Sequence, residues 1–305
     1  MPHACPVVSV VIPSYNHGHL IARTLDSVFA QTYSRFEVIV VDNNSSDNTD
    51  EVLARYTGDN ISILKVDNHG SIAYSRNRGV DVARGEWIAF LDSDDWWTAD
   101  KLLTCLRHSH NFDLIYHSLI LADSSTKPLY PKRLSSWPLN QPVFTNLLLN
   151  GNPIATSSVV VRRSFLNQIG GFDEANEIIA SEDYDAWLRI SRLTSRFLFV
   201  RKPLGFYHFS PSSASRKDMS LSMRAVYSKY SHYLCSHEFK SMDSNAAYAA
   251  GRYAYKFGSV RVSFFELSKS ILYGRFEIRV KSALLIPGLL FKLFLSLLGR
   301  SKTSS

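Results

Sequence analysis

Apolar runs typical of buried strands alternate with stretches of helical spacing along the N-terminal third of the chain. A short run of β-branched or aromatic residues predicts a strand, and apolar residues that recur every three or four positions predict a helix. This alternation predicts an α/β domain with a doubly wound, mostly parallel sheet and right-handed crossovers. The predicted strands are 7–12, 36–41, 61–66 and 87–91, and the predicted helices are 19–30, 50–56 and 72–83.

The pattern becomes less regular after the fourth strand. Residues 122–141 are rich in Ser, Pro and Lys and predict a loop or a mobile flap. From residue 215 onward the pattern is helical, so we expect a helical region over 216–305 after the α/β region of 1–215. Further predicted elements are strands at 113–121, 157–161, 197–200 and 204–209, and helices at 142–149, 162–168, 181–190, 220–235, 245–257 and 262–272.

The net charge of +7 is distributed unevenly along the chain. From residue 251 to the end, ten Lys or Arg face two acids, whereas the first 250 residues carry twenty-four Lys or Arg and twenty-five acids. This distribution argues against a nucleic-acid-binding protein and favours contact between the C-terminal part and an anionic surface. The three cysteines are far apart and the N-terminus has no signal-like pattern, so we expect a cytoplasmic protein without a disulfide framework.

The most apolar run of the chain lies at residues 283–298. A helix of that length would reach about 24 Å, short of the ~30 Å hydrocarbon core of a bilayer. Its polar residues fall on a narrow stripe, and basic residues lie on both sides of the run. We therefore expect an amphipathic helix over about 282–299 that lies on a membrane surface. A helix that closes the core or a dimer interface is the alternative.

Three acidic groups lie at positions where strand ends are expected to converge. The strand at 87–91 ends on Asp92, Asp94 and Asp95, and a cluster of like charges calls for a compensating cation. Mg²⁺ binds carboxylates while it keeps positions open for substrate phosphates, and open α/β sheets bind ligands at the carboxyl ends of their strands. A polar turn before a helix is the alternative. The second and third groups are Asp42, which ends another strand, and the pair Glu182 and Asp183.

These segments, taken in order, resemble the family 2 glycosyltransferases over roughly residues 6–215. The resemblance implies a GT-A fold, which is Rossmann-like, with a nucleotide-sugar half at about 1–97 and an acceptor half at about 98–215. It also implies an inverting hexosyltransferase that uses a nucleotide-sugar, with UDP expected by resemblance alone, and Mn²⁺ or Mg²⁺. The matching segments are 8–16, 38–49, 73–79, 83–86, 90–95, 170–173 and 181–189.

The resemblance also implies roles for single residues on the donor side. Asp94 in particular would bind the metal together with Asp92, and His208 would be a third ligand or a phosphate contact. The residues implied in nucleotide-sugar binding are Pro13, Tyr15, Asn16, Asp42, Arg76, Asp92 and Ser93.

On the acceptor side, Asp183 matches the catalytic base and Glu182 its neighbour. An inverting transfer needs one carboxylate opposite the leaving group, where it takes the proton of the acceptor hydroxyl. Each role has a simpler alternative: a turn-forming aspartate at position 42, charges that favour a helix N-terminus at 182 and 183, and an ordinary strand histidine at 208.

The resemblance favours an enzyme that builds a cell-surface polysaccharide, lipopolysaccharide or lipid-linked glycan at the inner face of the cell membrane. A catalytically silent protein that kept the fold is the first alternative, because fold does not guarantee function. A nucleotidyltransferase is a second alternative, although the loop after the first strand lacks the basic phosphate-binding sequence expected of one. No G-x-G-x-x-G or P-loop motif is present, so the sequence does not indicate a dinucleotide site.

Overall fold

A computed structural model describes residues 7–122, 132–209 and 218–292. Within them, eight strands form one sheet in the order β3-β2-β1-β4-β7-β6-β8-β5. The strands are β1 (Val8–Ser14), β2 (Phe36–Asp42), β3 (Ile61–Lys65), β4 (Trp87–Phe90), β5 (Trp96–Trp97), β6 (Leu114–Ala122), β7 (Val160–Arg162) and β8 (Phe197–His208).

The sheet is rich in parallel pairs, as predicted. β1 pairs in parallel with β2 and β4, and β2 pairs in parallel with β3. The second half is mixed: β7 lies antiparallel between β4 and β6, β6 and β8 are parallel, and β5 is antiparallel to β8. The parallel half places the ends of β1, β2 and β4 at one edge of the sheet, which is where the acidic segments begin.

Eleven α-helices lie wholly within the described ranges, and residues 286–292 are also helical. Three helices differ most from the prediction: α4 and α11 were not among the predicted helices, and α9 begins at Ser236 rather than at residue 245. The helices are α1 (Ile21–Phe29), α2 (Thr49–Leu53), α3 (Ile72–Val82), α4 (Lys101–Leu106), α5 (Val143–Asn150), α6 (Arg163–Gln168), α7 (Glu182–Ser191), α8 (Ser220–Tyr230), α9 (Ser236–Phe257), α10 (Val260–Tyr273) and α11 (Phe276–Ala283).

The strands β1, β2 and β4 carry apolar side chains into the core of the first unit. Every residue of β1, β2 and β4 is buried, because parallel strands carry apolar side chains toward helices on both faces. Gly79 lets α3 lie directly on this sheet, since a Cβ atom there would come within 2.4 Å of Val11 Cγ1. The close packing of α3 on the sheet fixes the position of Arg76, one helical turn earlier in the same helix.

Contacts divide the chain into two compact units. The first comprises Met1–Phe144 and Asn152–Ser210, and the second comprises Thr145–Gly151 and Pro211–Ser305. The sheet lies in the first unit, and α8 to α11 lie in the second. The predicted boundary at residue 215 lies outside the described residues, so it stays a prediction.

Two other predicted segments also extend beyond the described residues. Residues 123–131 of the predicted flap and 293–299 of the predicted amphipathic helix lie outside them, while residues 286–292 are helical. Over the ranges given above, no helix combines the length and the apolar character that crossing a bilayer requires.

Candidate active site

The turn after β4 presents its carboxylates alternately. Asp92 and Asp94 are partly exposed, whereas Ser93 and Asp95 are buried. The turn is closed by a hydrogen bond from the Asp95 backbone N–H to the Asp92 carbonyl at 3.0 Å. The two exposed carboxylates are therefore positioned to meet a ligand at the edge of the sheet.

The pKa values of Asp94 and Asp95 reflect their burial and the nearby negative charges. Burial, followed by the negative charge of Asp92, raises the pKa of Asp94 to about 7. Burial and the charges of Asp94 and Asp92 also raise the pKa of Asp95 well above its ordinary value. A positive charge near Asp94 would relieve this repulsion.

The end of β8 brings His208 to the same turn. Its backbone N–H donates to Asp95 Oδ1 at 2.8 Å, and its Nδ1 lies 3.8 Å from Asp94 Oδ2. The structure therefore places together two residues that are more than a hundred positions apart in the chain. A role for His208 as ligand or phosphate contact stays a prediction.

The donor groups at this turn fit a divalent cation. Asp92 and Asp94 offer carboxylate oxygens, and His208 offers an imidazole nitrogen near one of them. Burial, together with the charge of Asp92, raises the pKa of Asp94, and a bound cation would favour its ionised form. In the described ranges, no three His, Cys, Asp or Glu side chains are grouped closely enough to hold an ion by themselves. A hard cation such as Mg²⁺ takes carboxylate oxygens and usually keeps several waters.

Arg76 connects the two acidic regions. Its guanidinium is buried; it donates to Asp92 Oδ1 at 2.9 Å and to Glu182 Oε1 at 2.7 Å. Burial alone would lower the pKa of Arg76, but the charges of Asp92 and Glu182 raise it above its ordinary value. Arg76 is therefore a permanent cation that ties the end of β4 to the start of α7.

Asp183 lies in the first turn of α7, next to this ion-paired group. Its Oδ2 accepts hydrogen bonds from Thr156 Oγ1 at 2.9 Å and from Asn152 Nδ2 at 3.5 Å. Burial and the charge of Glu182 raise the pKa of Asp183 to about 7, and the charge of Arg76 opposes this rise. A carboxylate with a pKa near neutrality is suited to general base catalysis.

A short 3₁₀ turn at Thr156–Ser158 contacts both acidic regions, and the sequence analysis did not identify it. Thr156 holds Asp183, while Ser157 Oγ accepts from the Asp92 backbone N–H at 3.1 Å. The only sequence signal was a run of three consecutive hydroxyl residues before a short strand. The Ser157 carbonyl also accepts from Trp97 Nε1 at 2.7 Å, so the indole is part of the packing.

Hydrogen bonds connect the loop after β1 with the loop after β2. Asn16 adopts a left-handed φ of 52°, and its side-chain oxygen accepts from the Ser46 backbone N–H at 2.8 Å. Ser45 Oγ accepts from the Asn16 backbone N–H at 2.8 Å and donates to Asp42 Oδ1 at 2.5 Å. Pro13 is buried at the end of β1, and Tyr15 is exposed beside it. These contacts define the first loop, where nucleoside binding is predicted.

Asp42 is fully buried, and its carboxylate makes the contacts expected of a turn-forming aspartate. Its Oδ2 accepts from the Ser45 backbone N–H at 3.0 Å and from Lys65 Nζ at 2.7 Å. The carboxylate therefore shapes the loop after β2, and contact with the base or ribose stays a prediction.

Two basic side chains that the sequence analysis did not assign also reach the carboxylate turn. His17 Nδ1 lies 2.7 Å from Ser93 Oγ, which links the first loop to this turn. Arg23 donates to the Asp94 carbonyl at 2.9 Å, and its guanidinium lies 3.7 Å from the centre of the Trp96 ring. Both residues stabilise the backbone that carries Asp92 and Asp94.

Comparisons with known proteins agree on one family. The profile described as Glycosyl transferase family 2 matches residues 9–170. The amylovoran biosynthesis glycosyltransferase AmsB of Erwinia amylovora is 34% identical over 214 residues, which cover 66% of this chain and 69% of that protein. The UDP-Glc:alpha-D-GlcNAc-diphosphoundecaprenol beta-1,3-glucosyltransferase WfgD of Escherichia coli is 31% identical over 186 residues, which cover 60% of this chain and 69% of that protein.

A solved structure also shares the fold. Mannosyltransferase PcManGT from Pyrobaculum calidifontis, in complex with GDP-Man and Mn²⁺, matches with a TM-score of 0.61 and 18% sequence identity. The match covers 96% of this chain and 82% of that chain. At this identity the similarity is one of fold, and it confirms the expected GT-A architecture.

Proposed function

The chain belongs to glycosyl transferase family 2, and we propose that it transfers a hexose, with inversion, from a nucleotide-sugar to an acceptor hydroxyl. The observation that carries this proposal is the position of Arg76 between two acidic groups. Arg76 pairs with Asp92, which is near Asp94, and with Glu182, which is next to Asp183. One group is suited to a cation and a diphosphate, and the other to the acceptor.

Asp183 is the proposed catalytic base. The acceptor oxygen attacks the anomeric carbon as the bond from that carbon to the diphosphate oxygen breaks, and Asp183 takes the proton of the acceptor hydroxyl. The nucleoside diphosphate leaves with the bonding electrons as an anion, so no second carboxylic acid is needed. Glu182 keeps Arg76 in place and raises the pKa of Asp183 toward the working range.

Asp94, Asp92 and His208 are the proposed ligands of Mn²⁺ or Mg²⁺. When bound, the cation neutralises charge that develops on the leaving diphosphate. The Mn²⁺ in the PcManGT complex supports the use of a divalent metal by this fold. Pro13, Tyr15, Asn16, Asp42 and Ser93 belong to the proposed donor site together with Arg76, which holds Asp92 in place.

A UDP-sugar is the proposed donor, and a glycan or a lipid-linked sugar is the proposed acceptor. The names of the two relatives support this choice, since one specifies UDP-Glc with a diphosphoundecaprenol acceptor and the other the biosynthesis of amylovoran. An acceptor of this kind implies work at a membrane. We place the enzyme at the inner face of the cell membrane, bound to anionic lipid through the amphipathic helix predicted over about 282–299.

A donor screen tests this proposal. The unfolding temperature of the purified full chain is measured with UDP-, GDP- and dTDP-sugars, with and without Mn²⁺. A ligand at a hundred times its dissociation constant should stabilise the protein by ~2.7 kcal/mol. We expect a rise with UDP-sugars that depends on the metal and is lost in Asp94→Ala.

Asp183→Asn serves as the matched variant in the same screen. It should keep the metal-dependent rise with the donor but lose transfer, because it retains the donor site and removes the base. Metal-independent binding would disprove the metal role, and full transfer by Asp183→Asn would disprove the assigned base. A protein that binds none of the three donors would instead fit the catalytically silent alternative.

A further inference from the structure

Helix α10 has apolar residues on two opposite sides. On the inner side, Leu267 is fully buried and packs on α9, where a Cβ atom at Gly251 would lie 2.7 Å from Leu267 Cγ. Ser263 is on the same side and its hydroxyl donates to the Gly251 carbonyl at 2.9 Å. This side of α10 packs against α9.

The outer side of α10 carries a second apolar stripe. Val262, Phe265 and Leu272 follow the helical spacing and lie opposite Leu267. Phe265 is 58% exposed and Leu272 is 64% exposed. Lys269 lies in the same stripe, with its ammonium 4.2 Å from the centre of the Phe265 ring. Isolated exposed apolar residues are ordinary, but an aligned series on one helix face marks an interaction surface.

Helix α11 extends the same kind of surface. Phe276 is 80% exposed, and Val280, one turn later, is also exposed. A hydrogen bond between the buried hydroxyls of Ser270 and Ser282, at 2.7 Å, holds α11 against α10. The exposed apolar side chains of both helices therefore belong to one packed structure, which we call the α10–α11 surface.

The charges around this surface indicate the chemistry of its partner. Residues 260–283 contain five Lys or Arg and two Glu. One of these acids, Glu266, pairs with Arg224 at 2.9 Å and with Lys269 of the outer stripe at 3.5 Å. The segment as a whole keeps an excess of positive charge. Exposed aromatic and aliphatic side chains among cations are typical of helices that lie in the interface of an anionic bilayer.

We propose that the α10–α11 surface binds an anionic membrane, with Phe265, Leu272 and Phe276 inserted at the level of the lipid headgroups. The surface is separate from the predicted helix at 282–299, because all three side chains precede it. This proposal rests on the membrane association proposed above and adds a second membrane-binding surface to it. It does not depend on the assignment of donor, metal or base.

Vesicle flotation of the full-length protein tests the proposal. The probes are vesicles of phosphatidylcholine alone and vesicles that also contain phosphatidylglycerol. Wild-type protein should bind the anionic vesicles, and the double variant Phe265→Ser/Leu272→Ser should bind them about tenfold or more weakly, because two apolar anchors are lost. Lys269→Gln should bind more weakly at low salt and show a reduced salt dependence.

Two variants distinguish this surface from the exposed apolar side chains of neighbouring helices. Leu221→Ser removes a side chain that is 72% exposed on α8, and it should bind like wild type. Leu290→Ser/Phe291→Ser changes the described start of the predicted C-terminal helix. If only this second pair weakens binding, the α10–α11 surface is not the membrane site and the proposal fails.

Light scattering and the donor screen complete the test. If Phe265→Ser/Leu272→Ser converts a dimer to a monomer while wild type ignores anionic vesicles, a second copy covers the surface and the proposal is overturned. Circular dichroism and an unchanged donor-induced rise in unfolding temperature would show that the variant is folded. Failure of the wild-type donor screen with intact vesicle binding would refute the catalytic proposal alone.

Discussion

The hydroxyl of Thr156 donates to Oδ2 of Asp183 at 2.9 Å, so the proposed base is held by a residue from a turn that also supports Asp92. A hydrogen bond to the ionised carboxylate favours that form and fixes its orientation. We expect Thr156→Val to lower kcat about tenfold or more, with a smaller effect on KM, because geometry at the base contributes to the chemical step. Steady-state kinetics with the donor found in the screen measure this.

Thr156→Ser is the control for this prediction, since it restores the hydroxyl and removes only a methyl group. It should recover most of the lost kcat. Equal losses in Thr156→Val and Thr156→Ser would mean that the methyl group packs the turn and that the hydroxyl does not position the base.

Activity should also fall on the acidic side of neutrality. Asp183 must be ionised to accept a proton, and its pKa is raised to about 7 by burial and by Glu182. The profile of kcat/KM should therefore decline as pH decreases through about 7. Thr156→Val should move this decline to higher pH, because it removes a hydrogen bond that lowers the pKa of Asp183. A decline near 3.8, the ordinary pKa of an aspartate, would contradict the assignment.

The two buried ion pairs of Arg76 lead to a prediction about the stability of the fold. Its replacement by Met leaves Asp92 and Glu182 without their shared cation, and breaking a buried ion pair in this way costs about 3 kcal/mol or more. We expect a loss of that size in the unfolding free energy from urea titration. Arg78→Met is the matched control on the same helix, since Arg78 is exposed and pairs with Asp81 at the surface; it should cost about 0.5 kcal/mol or less.

If Arg76→Met has a small effect on stability, one explanation is that the carboxyl groups of Asp92 and Glu182 become protonated or hydrated in the variant. That outcome is recognisable, because the variant would then lose its stability as pH rises and the two acids ionise. A pH-independent, wild-type-like unfolding free energy would show that the ion-paired group contributes nothing to folding.

The sequence was sufficient for the parallel half of the sheet and for the family. Runs such as 38–41 and 87–91 are apolar throughout, a pattern typical of strands buried on both faces. The resemblance to family 2 is confirmed, because its motifs lie in one order along the chain and match the family over residues 9–170. Asn44, in the loop after β2, adopts a left-handed φ of 48°, a conformation that asparagine tolerates.

The rest depends on contacts that no local pattern encodes. β5 has two residues, Trp96 and Trp97, and exists because β8 pairs with it. The hydrogen bond between Thr156 and Asp183 joins positions 27 residues apart, and its energetic role is visible only in three dimensions. The predicted pair of strands at 197–200 and 204–209 is one strand, β8, whose register against β6 shifts near Pro203. The sequence pattern predicted an interruption between residues 200 and 204, but it did not predict that one strand continues through it.

Lys101 is a fully buried amine in the core of the first unit. Its ammonium lies 3.5 Å from the centre of the Trp97 ring, and it has no hydrogen-bond partner among the residues that the structure describes. Burial lowers its pKa from 10.5 to about 7. Between pH 7 and 9.0 Lys101 binds more protons in the unfolded chain than in the folded chain, so Lys101 should make the unfolding free energy of wild type rise over this range. Above pH 9.0 the raised pKa of the buried Cys105 thiol acts in the opposite direction.

The variant Lys101→Met tests this prediction, because it keeps the length of the side chain and its contact with the ring. It should stabilise the protein by about 2 kcal/mol at pH 7 and abolish the rise with pH. Urea titrations at several pH values measure both effects. Lys240→Met is the control, because Lys240 is exposed and its ammonium lies 5.2 Å from the centre of the Tyr273 ring. It should change neither the unfolding free energy at pH 7 nor its pH dependence. A destabilised Lys101→Met with an unchanged pH dependence would mean that the buried ammonium is charged and stabilised by the indole.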